Sequence, residues 1–305
     1  MEEISVRSPA TVSNVVCGFD CLGFALEAPY DELTLRLTKD GEIRIRNHDG
    51  FGLPTDPAAN VAGVALRALA DDVGGDIGFE VDSTKHIKPG SGVGSSAASA
   101  CGAVVAANEL LGGRFSRKEL VDFAMEGEQL ASGARHADNV APCIYGGFVL
   151  VRSVDPLDVV PLDCPPLWTT VIHPQIEIKT SEARAILPKD VPLKAAVRNW
   201  SNLGAFVAAL EKGDIKLLSR AMVDEIVEPV RGTLIPGFPD VRSASLAAGA
   251  LGGGISGSGP SMFMLSESQA TAREVERAMK EVYDAIGIPF NTYVSRIEPN
   301  GVRVV

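Results

Sequence analysis

The stretch KPGSGVGSSAAS at residues 88–99 gathers the residue types that hold an anion. Gly90, Gly92 and Gly94 let the backbone take conformations that a side chain forbids, and let N–H groups come close to a ligand. Ser95 and Ser96 add hydroxyls able to meet phosphate or Mg²⁺. An apolar helix is expected from about Ser95 to Leu111, with Ala97, Cys101, Val104, Val105 and Leu111 on one face. Free N–H groups and the helix dipole favour negative charge at such a start. The same residues also read as a flexible turn ahead of a buried helix, and the glycine pattern alone does not separate the two. A Walker A loop is excluded, because no Gly-Lys-Ser/Thr follows. A dinucleotide fingerprint fits poorly. The glycines run Gly-x-Gly-x-Gly, and no strand-borne acid follows about 20 residues on.

The elements that must position this loop are legible on both sides of it. Ile4–Arg7, Leu33–Leu37 and Ile43–Asn47 alternate apolar and polar residues and read as strands, as does Ile77–Val81. Asn60–Leu69 has helical spacing with Asn60 as N-cap. Ser116–Ala131 opens with a capping box, Ser116 to Glu119, and carries Leu120, Phe123, Ala124 and Leu130 as its apolar stripe. Gly147–Arg152 is a further strand. Four prolines between Asp155 and Pro166 predict a loop or domain boundary there. Beyond it Trp168–Ile172, Ser261–Leu265, Thr292–Ile297 and Val302–Val305 read as strands, and Thr180–Ile186, Trp200–Leu210 and Gln269–Ala285 as helices. Neither half keeps a βαβ rhythm, which favours two α+β domains over one doubly wound sheet. We expect residues 1–158 to form an N-terminal domain and residues 159–305 a C-terminal one.

Composition narrows the function classes. The 305 residues are 46% hydrophobic and 22% charged, an ordinary globular balance. The formal net charge of −11 argues against nucleic acid and anionic membranes. It leaves room for a phosphate site built from backbone N–H groups and a metal. No apolar run is long enough to span a bilayer, and the acidic start does not resemble a signal peptide, so a cytoplasmic location is expected. Five cysteines, Cys17, Cys21, Cys101, Cys143 and Cys164, fit reduced packing thiols better than a disulfide framework.

Three motifs in order span nearly the whole chain: SPATVSN at 8–14 with GFDCLG at 18–23, the loop at 88–99, and GGISGSGP at 253–260. Together they resemble the family of galacto-, homoserine, mevalonate and phosphomevalonate (GHMP) kinases. HADNVAP at 136–142, KTSEAR at 179–184 and EPVR at 228–231 resemble its homoserine-phosphorylating branch. Related mevalonate and galactose kinases place an Asp where Asn139 stands and use it as a base. One departure is Lys88, which stands where the branch usually has Pro, with Pro89 displaced by one.

The resemblance implies a two-domain architecture, N-terminally ribosomal-protein-S5-domain-2-like and C-terminally ferredoxin-like, with ATP and Mg²⁺ as cofactors. It assigns nucleotide binding to Pro89, Gly90, Ser91, Gly92, Val93, Gly94, Ser95, Ser96, Ala97 and Ala98, with Asn60 near the adenine. Ser96 and Glu128 would hold the metal. L-homoserine would lie among Asn14, Asp20, His136, Asp138, Asn139, Thr180, Arg184 and Arg231. Arg184 and Arg231 suit its carboxylate, and Asp20, Asp138 and His136 the amino end. Asn14 and Asn139 suit the reacting hydroxyl. Asn139, Asp20, Glu128 and Ser96 are the expected catalytic set. With Asn at the base position, in-line transfer without a dedicated protein base is expected. Gly254–Gly259 should abut the phosphate loop without binding phosphate. The implied enzyme belongs to threonine synthesis and is a homodimer. Another kinase of the family, or a silent ligand-binding relative, are the competing readings.

Each residue also has a bland reading. Arg184, Arg231 and Glu128 could be solvated surface charges. Asp138 and Asn139 could cap a turn, and Asn14 and Asp20, flanked by Gly18 and Gly23, could simply make one.

Overall fold

The computed structural model describes residues 3–48 and 50–305. Two long strands, β1 (Glu3–Val15) and β2 (Gly18–Thr38), form an antiparallel spine. Then come β3 (Ile43–Asn47), α1 (Val61–Val73), β4 (Gly78–Thr84), α2 (Ser95–Leu110), α3 (Arg117–Ser132), α4 (Val140–Tyr145), β5 (Phe148–Val154) and β6 (Leu157–Leu162). The second half holds β7 (Trp168–Pro174), α5 (Thr180–Ala185), α6 (Leu193–Lys212), α7 (Ile215–Ala221), α8 (Glu228–Arg231) and α9 (Phe238–Ala247). It closes with β8 (Gly252–Ile255), β9 (Met262–Ser266), α10 (Gln269–Ile286), β10 (Phe290–Arg296) and β11 (Arg303–Val304).

The caps read from sequence start their helices. Asn60 Oδ1 accepts from Ala62 N at 2.9 Å, and Ser116 and Glu119 make the reciprocal capping box. The stripe of α3 departs from expectation at one place: Leu130 is exposed.

The first sheet runs β11-β1-β2-β4-β3, with β5 joined to β2 and β6 to β5. The second is antiparallel, in the order β10-β7-β9-β8. Counted along the chain from β7, that order is 4-1-3-2, with α10 crossing between β9 and β10, the ferredoxin-like arrangement. The two α+β halves thus agree with the sequence reading. The segment 155–166 departs from it in part. Its prolines were expected to mark a loop or a domain boundary, yet Leu157–Leu162 is a strand that pairs with β5 through Val151 opposite Val159. Pro161 is tolerated because β6 is an edge strand, where one side needs no donor. The change of sheet falls between Leu162 and Trp168, and β11 returns to β1 of the first sheet.

α2 lies at the centre of the N-terminal half, nearly buried along its length. Its small residues allow close approach: a Cβ at Gly102 would lie 2.7 Å from Leu33 Cδ1. Leu66 and Leu69 of α1 are wholly buried in the same core, each worth about 1.5–3 kcal/mol. This packing fixes the start of α2, where the glycine loop ends.

Candidate active site

The loop ends at Gly94, which caps α2 in the left-handed region at φ 68° with no side-chain cap. A Cβ there would lie 2.0 Å from Thr11 Oγ1 and 3.1 Å from Asn139 Oδ1, so only glycine fits. The first N–H groups of α2 are left to face a cleft of about 340 Å³. The loop's carbonyls are held from the opposite side. Ser256 Oγ donates to Gly92 O at 2.7 Å and Ser261 Oγ to Ser91 O at 2.5 Å. Gly254–Gly259 therefore abuts the loop as expected, and these serines occupy the Ser91 and Gly92 carbonyls. The side chains of Ser91, Val93, Ala97 and Ala98 do not line the cleft. Val93 and Ala98 pack in one core, Ala97 in another, and Ser91 is buried. They can serve a ligand only through backbone. Pro89, Gly90, Gly92, Gly94, Ser95 and Ser96 do line it.

Asn60 lines a smaller adjoining cavity of about 120 Å³ with Ile45, Leu53, Pro54 and Val81. Its amide is occupied: Oδ1 caps α1, and Nδ2 donates to Pro54 O at 2.7 Å. It shapes this apolar recess and has little left with which to read a base.

Lys85 escaped the sequence reading. Its Nζ donates to Asp31 Oδ2, to Ser95 O at 3.0 Å and to Ser99 Oγ at 2.8 Å. Asp31 Oδ1 accepts from the N–H groups of His86 and Ile87. This buried, fully bonded ion pair ties the lead-in of the loop to the first turn of α2. A signal existed: Phe79, Val81, Ser83 and Lys85 fall in one alternating phase, all buried. An inward lysine needs an anion. Lys88 instead reaches out, donating to Gln175 Oε1 at 2.7 Å.

Ser96 Oγ donates to Glu128 Oε2 at 2.7 Å. Glu128 is buried, and burial pushes its carboxyl up to about 7, opposed by the Ser96 bond and aided by Asp138. A buried carboxylate with a hydroxyl beside it and, among the described residues, no cation bonded to it suits a hard cation. Two oxygens match Mg²⁺, which takes its other ligands from phosphate and water.

At the other end, Asn14 and Asp20 both have positive φ, 56° and 58°. The Asp20 N–H donates to Asn14 Oδ1 at 2.7 Å, and Asn14 Nδ2 to Gly257 O at 2.9 Å. They are turn residues and cleft residues at once. Asn139 heads α4 without capping it. Its Oδ1 accepts from Thr11 Oγ1 at 2.8 Å and its Nδ2 donates to Ser13 Oγ at 2.9 Å. Asp138 is buried, and burial followed by the nearby Asp20 raises its carboxyl. Thr180 Oγ1 lies 3.3 Å from Ser258 Oγ.

Arg231 is not a solvated loop charge. It is 2% exposed, and donates to Ala183 O and Gly257 O, each at 3.1 Å. Burial, then Arg184, lowers its pKa, though guanidinium stays charged. Arg184 pairs with Asp20 and lies 3.4 Å from His136 Nε2. Asn14, Asp20, Glu128, His136, Asp138, Asn139, Thr180, Arg184 and Arg231 thus share one cleft with the loop.

Comparison with known proteins bears on the chain as a whole. The family model for the GHMP kinases N terminal domain matches residues 60–147, and that for GHMP kinases C terminal matches residues 206–285. A homoserine kinase of Chloroherpeton thalassium is 47% identical over 296 residues, covering 93% of each chain. One of Thermococcus kodakarensis is 41% identical over 293 residues, covering 95% of this chain and 97% of its own. The crystal structure of homoserine kinase from Cytophaga hutchinsonii superposes with a TM-score of 0.95 at 51% identity, covering 100% of this chain and 98% of that one.

Proposed function

We propose that this chain, which belongs to the GHMP kinase family, transfers the γ-phosphoryl group of ATP to the hydroxyl of L-homoserine. The products are O-phospho-L-homoserine and ADP, and the step serves threonine synthesis. One observation carries the reading. An uncapped helix start behind a glycine loop shares a cleft with two guanidiniums, three carboxylates and a locked amide. That combination suits a polyphosphate facing a small zwitterionic alcohol, the acceptor named for relatives at 41–51% identity.

Each residue then has a task. The N–H groups of the loop and of Ser95 and Ser96 hold the phosphates. Lys85 and Asp31 fix the loop beneath them. Ser96 and Glu128 would hold Mg²⁺, which would supply neutralisation of charge on the transferring group. The apolar recess around Asn60 takes the adenine. Arg184 and Arg231 take the acceptor's carboxylate and Asp20 its ammonium, with His136, Asp138 and Thr180 completing the wall.

The acceptor hydroxyl lies at Asn139 and Asn14. Asn139, with Oδ1 bonded by Thr11 and one Nδ2 N–H donated to Ser13, orients the hydroxyl through its second N–H and, as a neutral amide, cannot take its proton. The acceptor oxygen bonds to the γ-phosphorus in line as the bond to the bridging oxygen breaks, and the proton leaves to phosphate or water. Positioning and charge neutralisation carry the catalysis. A large fall in kcat for Asp20→Asn with homoserine KM unchanged would make Asp20 a base and overturn this step.

We place the enzyme in the cytoplasm as a homodimer. Among the described residues no helix is long and apolar enough to cross a membrane. Sedimentation as a monomer would remove the dimer. The acceptor is tested by ADP release with L-homoserine, mevalonate, galactose and shikimate. Turnover with L-homoserine well above the rest is expected, and none with any acceptor would overturn the reading.

A further inference from the structure

Glu228 is a buried carboxyl, 5% exposed, that takes no part in the steps above. It stands on α8 one turn before Arg231. Burial pushes it up to about 7, with Arg242 opposing. Its Oε2 accepts from Arg242 Nη1 at 3.0 Å. Its Oε1 reaches out of the helix and accepts from the Ile255 N–H of β8 at 3.0 Å. A missing side chain makes room for this contact. A Cβ built on Gly254 would collide with Oε1, and the three atoms nearest to it all belong to Glu228. Gly254 lacks the positive φ of Gly257 and Gly259, so the carboxylate, and not a turn, requires glycine there.

The two residues after Ile255 serve the two ends of the cleft. Ser256 Oγ donates to Gly92 O of the phosphate loop. Gly257 O accepts from Arg231 Nη1 and from Asn14 Nδ2, both at the acceptor end. One short segment is therefore bound twice by α8, through Glu228 at residue 255 and through Arg231 at residue 257. With only four residues, α8 is too short to hold its direction unaided.

We propose that Glu228 is a positioning residue that clamps α8 to the end of β8 and so fixes the spacing between Arg231 and the phosphate loop. Without the clamp each end of the cleft keeps its own binding groups. Arg231 loses one of the two ties that set its distance from Gly92, so the acceptor hydroxyl meets the γ-phosphate in line in a smaller share of complexes. The inference rests on the assignment of this cleft to ATP and its acceptor.

The contact can be broken from both sides. Glu228→Ala removes the carboxylate, and Gly254→Ala expels it while leaving the sequence of α8 untouched. In steady-state kinetics on folded protein each variant should lower kcat by about 10-fold or more, the scale of a lost charged hydrogen bond. Both KM values should stay within about 3-fold of wild type. The double variant should be no slower than Glu228→Ala alone, because the two changes break one contact. A readout without turnover comes from the Arg231 Nε–H, which donates to Ala183 O. Its exchange with water, followed by nitrogen NMR and assigned by its loss in Arg231→Lys, should quicken by about 10-fold or more in both single variants. Gly254→Ala carries the test if Glu228→Ala fails to fold.

A merely structural role would lower the unfolding midpoint and leave the folded enzyme's kinetics alone. Wild-type kcat with slow Arg231 exchange in folded Gly254→Ala therefore overturns the proposal. So does a raised homoserine KM at unchanged kcat, because Glu228 would then serve acceptor binding and not the spacing. Losses that multiply in the double variant overturn it as well. Failure of the wild type to phosphorylate L-homoserine is a separate result: it removes the acceptor assignment, while Arg231 exchange still tests the clamp.

Discussion

Replacing Glu128 by Gln keeps the side chain's shape and removes its charge. Burial raises this carboxyl from 4.5 to about 7. At about 1.4 kcal/mol for each tenfold change, that disfavours the charged form by about 3 kcal/mol in the folded state. The folded protein holds this proton more tightly than the unfolded chain does. The stabilising contribution is therefore full below pH 4.5 and is lost as pH rises through 7. At pH 8 the wild type, without metal, carries a buried charge that Gln lacks. Glu128→Gln should be more stable than wild type by up to about 3 kcal/mol at pH 8, and by less than about 1 kcal/mol at pH 5. Urea unfolding without Mg²⁺ or nucleotide measures both. In the same variant kcat should fall by about 10²–10³-fold, the scale of losing one preorganised charge from a transition-state site. Equal destabilisation at both pH values with near-normal kcat would refute the reasoning, because Glu128 would then be an ordinary hydrogen-bonded carboxylate.

Further outcomes follow from the same contacts. Wild-type protein should release close to one proton per Mg·nucleotide bound at pH 6, as the metal forces Glu128 to ionise, which titration calorimetry in two buffers of different ionisation heat detects. Arg231→Ala should raise the homoserine KM by about 10- to 100-fold and leave the ATP KM within about 2-fold; equal loss of both would place Arg231 outside the acceptor site. Thr11→Val leaves Asn139 Oδ1 without its donor; kcat should fall by about 5- to 10-fold with the ATP KM unchanged in steady-state kinetics. Lys85→Met strands the buried Asp31 carboxylate and should cost about 3–5 kcal/mol in denaturant unfolding.

Much of the scaffold was legible because it is built from local signals. Asn60, Ser116 and the glycines of the loop announce helix starts, and the alternation in Ile43–Asn47 marks that strand to the residue. What escaped depends on distant partners. The prolines around β6 hide a strand that only an edge position permits, and Pro161 shows the edge only once β5 is beside it. Arg231 follows a proline and looks like loop charge until α5 and Gly257 cover it. Lys85 was legible in phase but not in partner, since Asp31 lies far away in sequence. The hydroxyls of Ser256, within GGISGSGP at 253–260, and of Ser261, the residue after it, hold the phosphate loop but are unremarkable in the sequence. Family motifs gathered the remaining cleft residues, but only the geometry disclosed that Arg184 and Asp20 face each other.

The central claim is that this cleft moves a phosphoryl group from ATP to the hydroxyl of L-homoserine. Phosphorus NMR of purified protein with Mg·ATP and L-homoserine tests it most directly. The account predicts a phosphate monoester signal, coupled to methylene protons, that grows one for one with ADP and vanishes when Mg²⁺ is chelated. ADP accompanied only by inorganic phosphate, or ATP left intact, would contradict it.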